Sequence, residues 1–357
     1  MDLSVCLVAT ELFGWGRYGG IGMCTRSIGT ALVERGVRTT VVVPRGRGQR
    51  PVEELDGMVV YGFRLLGYPS TGSLYELCDA DVYHSEGVNW GTGIASGRMP
   101  SRRHVVTCQN PRTREDWRTV GRYYPWRRKL FNLLYGPKLV GVMRGMDGVY
   151  CQARYVIPKV RTIYGLDVDP GFLPNPVVVP QGVVRKADEP TVCFLGRFDA
   201  EKQPELFFEL AGRFPSVRFV AMGGAHDRGR DVLLRRRYGS IPNLEMPGFV
   251  DGAEKGRVLG ESWVLVNTSV SECLPISFLE AAAHGCAILS FHDPDGFASK
   301  FGCHVGVGGL DRGLGLLVEG ERGRARGEAG REYVRRVHER GRVVDAHLEV
   351  YRRLLEG

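Results

Sequence analysis

No apolar run in this chain of 357 residues approaches the roughly 18 needed to cross a bilayer as a helix. The first apolar run, 3–9, is short, follows Asp2 and has no basic stretch before it. It reads as a first strand and not as a leader peptide. The nine cysteines are scattered without a C-x-x-C pair, an odd number that suits buried, reduced thiols rather than a disulfide framework. A cytoplasmic location is expected. The chain also lacks internal short repeats, a low-complexity tail and any nucleic-acid-binding motif.

What is present is ordinary for a soluble globular protein: 43% apolar and 25% charged residues, in a length that suits two domains with ample cores. Lys and Arg total 48 against 40 Asp and Glu, a net charge of +8. That excess favours anionic partners such as nucleotide diphosphates, phospholipid head groups or nucleic acid, without choosing among them.

Short β-branched runs at 3–10, 39–44, 58–66, 81–84, 104–108 and 148–151 alternate with longer amphipathic segments. The alternation restarts at 191–195, 217–222, 244–250, 263–266 and 287–291, after a stretch rich in Pro and Gly, 167–182, that reads as a linker. The expected class is α/β with two Rossmann-like domains. The first would span 1–172 and the second 173–339, with a closing helix over 330–355 whose end, about 340–357, returns to the first domain.

The chain is most distinctive at 267–285. Glu272 sits in a strand-to-helix loop, and Glu280 follows eight residues later, near the same azimuth of the ensuing helix. Pro275 suits a first helical position, Gly285 the residue past the end, and the free amides at the helix start favour an anion. At 194–204, Arg197 offers a planar fork for phosphate oxygens and Lys202 a compact second cation, both able to neutralise charge on a departing diphosphate. The first loop holds Gly14, Gly16 and Gly19 in G-x-G-x-x-G spacing, but the second strand ends Val43-Pro44-Arg45 without the acidic residue that a dinucleotide ribose requires. Arg45 could instead hold an NADP phosphate, so an oxidoreductase reading stays open.

These elements resemble retaining glycosyltransferases of the GT-B fold, especially glycosyltransferase family 4, most strongly over 191–291. The resemblance implies two domains facing a cleft and a final helix that crosses back to the N-terminal domain. It implies that Arg197 and Lys202 hold the donor phosphates, Glu280 the ribose hydroxyls and Glu272 a hydroxyl of the transferred sugar. Gly20 and Gly22, in Gly-Gly-Ile-Gly, would close over the diphosphate. Val250 would line the base, and Leu274 and Ile276 complete the donor contacts. His84 matches a strand-end His near the acceptor. A second His found in many members is replaced here by Gln109 or, in the other register, Cys108, a departure that puts a His-assisted step in doubt. The expected activity is metal-independent transfer of a sugar from a nucleotide-diphosphate donor, a co-substrate with no other cofactor, to a glycan or lipid-linked acceptor in cell-envelope or polysaccharide biosynthesis. A non-catalytic nucleotide-sugar-binding protein of the same fold remains the other alternative.

Two further features bear on partners. Segment 112–138 interleaves Arg112, Arg114, Arg118, Arg122, Arg127, Arg128, Lys129 and Lys138 with Trp117, Tyr123, Tyr124, Trp126, Phe131 and Tyr135. The mixture suits peripheral contact with an anionic membrane, at the inner face of the plasma membrane, and nucleic acid is not expected. Three D-x-D triplets, at Asp79, Asp167 and Asp293, read as turn chemistry, so no bound metal is expected.

Overall fold

A computed structural model describes residues 3–15, 19–124 and 136–357. The chain divides into two compact units, the first comprising Met1–Arg114, Pro125–Pro176 and Arg340–Gly357, the second Glu115–Tyr124 and Val177–Glu339.

The first unit is built on β1 (Ser4–Val8), β2 (Arg38–Pro44), β3 (Val52–Leu55), β4 (Met58–Phe63), β5 (Val82–Ser85), β6 (Arg103–Cys108), β7 (Gly148–Cys151) and β8 (Gly171–Phe172). They lie in the order β3-β4-β2-β1-β5-β6-β7-β8. Every residue of β1 is buried, as expected for a parallel strand covered on both faces. Its register against β5 is helped by Asp81, whose Oδ2 accepts from the Ser4 amide at 2.9 Å and hydroxyl at 2.6 Å. The antiparallel β3–β4 hairpin was not expected. It turns on Asp56-Gly57, both at positive φ (51° and 78°), the D-G signature of a type I′ turn.

The expected single closing helix is two: Arg322–Val337 and Arg340–Glu356. His338 leaves helical geometry (φ −116°, ψ 0°), and its carbonyl accepts the Val177 amide at 2.8 Å. The last helix belongs to the first unit, where Val344, Leu348 and Tyr351 join Val5, Leu7, Val82 and Val105 in one core. Their spacing of four and three places them on one helical stripe.

The second unit has six parallel strands, β9 (Thr191–Leu195), β10 (Arg218–Met222), β11 (Leu244–Gly248), β12 (Val264–Asn267), β13 (Ala287–Ser290) and β14 (Gly302–His304), in the order β11-β10-β9-β12-β13-β14. Phe194, Phe198, Phe207, Phe208 and Phe219 fill its core. β14 carries no apolar alternation. It can pair because Gly302 approaches so closely that a Cβ there would lie 1.9 Å from the Ile288 carbonyl oxygen. The chain leaves β9 to one side for β10 and returns on the other for β12, a topological switch point where open α/β sheets bind ligands beyond the strand ends.

Candidate functional site

Both arms of the switch point carry residues singled out from the sequence. Arg197 and Lys202 follow β9, and Glu272 follows β12. The Lys202 Nζ donates to Glu272 Oε1 at 2.6 Å, with the two side chains 22% and 12% exposed. Ser269 Oγ donates to the same oxygen at 2.6 Å, and Asn267 Nδ2 reaches it at 3.3 Å. Burial pushes the Glu272 carboxyl up, but the Lys202 ammonium and these donors outweigh it and hold the group below the usual carboxylate range. The β9 loop is tied to the β12 loop by the backbone as well: Thr268 Oγ1 donates to the carbonyls of Lys202 and Gln203, each at 2.8 Å.

Arg197 is engaged on both prongs, with Asp199 Oδ2 at 2.7 Å and Glu201 Oε1 at 2.9 Å. Tyr124 donates to the other Glu201 oxygen at 2.8 Å. A phosphate arriving at Arg197 and Lys202 therefore has to displace carboxylates that already neutralise them. Asp199 escaped the sequence reading, although it is only two residues from Arg197, and Tyr124 was read only as part of the basic and aromatic segment 112–138.

Glu280 lies on the short helix Ile276–Ala283, whose cap residue is Pro275, one position earlier than expected. The helix ends as expected, with Gly285 at φ +75°, a conformation that costs glycine least. Leu274 is buried, while Ile276 and Ser277 begin the helix, where amides lack intrahelical partners. Glu280 does not meet Glu272's partners. It accepts from Lys255 Nζ at 2.8 Å, and Lys255 also pairs with Asp251 at 3.0 Å. Burial pushes the Glu280 carboxyl above its ordinary range, only partly opposed by Lys255. Lys255 was missed, because an i,i+4 Asp–Lys pair on a helix looks like any solvated face. Val250 is buried immediately before Asp251. Gly223, Gly224, Arg228, Asp231, Gly248 and Phe249, among others, line a hollow of about 310 Å³ off the ends of β10 and β11.

The remaining candidates belong to the first unit. Gly20, exposed, opens the helix Gly20–Glu34, and Gly22 is buried in its first turn, its carbonyl accepting from the Phe13 amide at 3.1 Å. Gly16, of the G-x-G-x-x-G spacing, lies outside the described residues. His84 is 0% exposed, with Nδ1 2.6 Å from Tyr351 Oη and Nε2 2.8 Å from Thr107 Oγ1. The buried strand end, packed under the closing helix, places the ring among protein groups and not on a surface. Cys108 ends β6, and Gln109 follows it, buried, donating to Glu86 Oε2 at 2.5 Å and to Asn175 Oδ1 at 2.8 Å.

In segment 112–138, Arg114–Val120 is helical, and Trp117 meets Tyr124 edge to face at 5.6 Å. Trp126, Arg127, Arg128, Lys129, Phe131 and Tyr135 lie outside the described residues. Among those described, no helix is long and apolar enough to cross a membrane. The D-x-D triplets hold turns: Asp79 caps a helix at φ 38°, Asp169 meets Arg161 at 3.2 Å, and Asp293 accepts from the Ser299 amide and hydroxyl.

Residues 180–305 match the family model of glycosyl transferases group 1, and this match contains Arg197, Lys202, Glu272 and Glu280. The fold is that of the GT-B glycosyltransferases. Sucrose-phosphate synthase from Thermosynechococcus elongatus superposes with a TM-score of 0.76 at 15% identity, covering 99% of each chain. Alr3699/HepE of Anabaena, solved with UDP and glucose, gives 0.73 at 13% identity over 97% of this chain and 98% of that one. The catalytic domain of starch synthase IV from Arabidopsis thaliana, bound to ADP and acarbose, gives 0.67 at 12% identity over 100% of both. No curated protein matches by sequence. Family match and GT-B fold together support glycosyl transfer.

Proposed function

We propose that this GT-B chain moves a sugar from a nucleoside-diphosphate donor to a glycan or lipid-linked acceptor, with retention at the anomeric carbon and without a metal at the diphosphate. The observation that carries the reading is the Lys202–Glu272 pair, 2.6 Å long, at the switch point of the second sheet. Lys202 and Arg197 exchange their carboxylate partners for diphosphate oxygens, neutralising the charge that grows as the bond from the anomeric carbon to phosphate breaks. Glu272, released from Lys202, accepts from a sugar hydroxyl. Glu280, buried beside one ammonium, accepts from the ribose hydroxyls. The base occupies the hollow between the Gly223 and Phe249 loops, next to Val250, and Leu274 and Ile276 approach the donor with their backbone. Gly20 and Gly22 keep the diphosphate role that the resemblance implies.

The acceptor oxygen bonds to the anomeric carbon on the face the phosphate leaves, and its proton passes to a departing phosphate oxygen. No imidazole is needed for that proton, in keeping with Gln109 and with the buried, partnered His84. The acceptor assignment, in cell-envelope or polysaccharide synthesis at a membrane surface, rests on the basic and aromatic composition of 112–138.

Calorimetry of UDP, GDP, ADP and NADPH binding to wild type and Arg197→Ala tests the donor site. One nucleoside diphosphate should bind, and the variant should lose it. NADPH binding indifferent to Arg197 would instead place the ligand at the Gly14 loop and end the transferase reading. Transfer from a labelled donor, lost in Glu272→Ala, separates an enzyme from a nucleotide-sugar-binding protein.

A further inference from the structure

In the first unit, a group of side chains with no part in the proposed transfer converges on one buried point. His84 lies on β5, Glu86 just after it, and His347 on the helix Arg340–Glu356. One donor atom from each lies within 4.8 Å of the other two. The residues are 0%, 5% and 1% exposed. Two polar atoms here, Glu86 Oε1 and His347 Nε2, have no hydrogen-bond partner among the described residues. A buried acceptor left so has given up its hydration for nothing in return, so two in one cluster call for an occupant.

The tautomers fit a cation. His347 Nδ1 sits 2.8 Å from the Val343 carbonyl and must donate to it, which leaves the Nε2 lone pair for the cluster. His84 Nε2 is 3.9 Å from Glu86 Oε1, while Nδ1 faces the Tyr351 hydroxyl. Burial drives both imidazoles toward the neutral, ligating form.

We infer that His84, Glu86 and His347 form a structural site for a divalent transition metal of the zinc class, stapling the last helix to β5. Two imidazoles and one carboxylate are a zinc-type donor set. Ligands of a tetrahedral ion stand about 3.3–3.6 Å apart, so a cluster whose donor atoms lie within 4.8 Å of one another closes by about 1.5 Å at most. Each ligand is already held from behind, as metal ligands usually are: Glu86 by Gln109, His347 by the Val343 carbonyl, and His84 by Tyr351. Thr107 Oγ1, 2.8 Å from His84 Nε2, yields that nitrogen to the metal and is placed to hold a water in the fourth position. The competing occupant is a single water whose two protons bond Glu86 Oε1 and His347 Nε2.

The test is to strip the full chain with a chelator, titrate it with cobalt(II), and follow visible absorption and the thermal midpoint. The expected result is about one cobalt per chain with the intense visible bands of a tetrahedral ion, a saturable rise in midpoint, and displacement by zinc. Glu86→Gln should weaken binding at least about 10-fold, and Tyr351→Phe, which spares every ligand, by about 10-fold through His84 alone. Should Glu86→Gln not fold, Tyr351→Phe carries the comparison. Absence of saturable binding, unchanged affinity in the variants that fold, or a strong sulfur-to-cobalt band from cysteine ligation would overturn the site and leave the water in its place.

Discussion

Glu272 and Glu280 are eight residues apart and both nearly enclosed, yet they titrate in opposite directions because one has three donors around it and the other chiefly one ammonium. Glu272, held below its ordinary range, contributes stability above the usual carboxylate pKa and loses it as pH falls through the depressed value. Glu280 does the reverse: its stability contribution falls as pH rises from the ordinary value toward the raised one. Urea melts across acid to neutral pH should therefore show a steeper loss toward neutral pH in wild type than in Glu280→Gln. That variant should also bind nucleoside diphosphate at least about 10-fold more weakly, from one lost hydrogen bond to a charged group. Lys202→Met leaves the Glu272 carboxylate with its Ser269 and Asn267 donors but without the ammonium beside it. It should cost about 2–3 kcal/mol, somewhat less than breaking a fully buried pair, and push the Glu272 pKa above its ordinary range, which carboxyl NMR titration would read.

Among elements, those missed or misplaced share a cause: their stability comes from a neighbour and not from their own pattern. β14 pairs only because Gly302 admits the Ile288 backbone, and the closing helix breaks because Val177 takes the His338 carbonyl. The β3–β4 hairpin is the exception, since its Asp56-Gly57 signal was readable. Strand ends depend on such contacts too. Gly223, at φ +148°, would place a Cβ 1.8 Å from the Gly196 carbonyl oxygen, so backbone and not a movable side chain blocks it. Gly223→Ala should cost about 2 kcal/mol or more and weaken nucleoside-diphosphate binding, because the loops after β9 and β10 must part. Denaturant melts and calorimetry on the same preparation check both effects.

For the molecule as a whole, two outcomes follow. Truncation after Glu339 removes Val344, Leu348, Val350 and Tyr351 from the first unit's core, so the product should be insoluble or melt without cooperativity. The net charge of +8 and the composition of 112–138 predict retention on vesicles containing anionic lipid at low salt, released as salt screens the charges. Co-sedimentation with and without anionic lipid reads this directly, and equal binding to neutral vesicles would remove the electrostatic account.

The amino-acid sequence by itself determined the α/β class, most strand positions, and the residues after β9 and β12. Those strands are short β-branched runs buried on both faces, and residues that follow them arrive at the carboxyl ends of the central strands whatever the rest of the chain does. Only the tertiary structure decided the partners. Arg197 meets Asp199 and Glu201, Glu280 meets Lys255, and His84 turns inward to Tyr351 and Thr107 instead of outward. Local pattern places a residue on an element. Which charge it faces depends on elements far away along the chain, as His84 and Tyr351 are at a separation of 267 residues, and no local periodicity encodes that meeting.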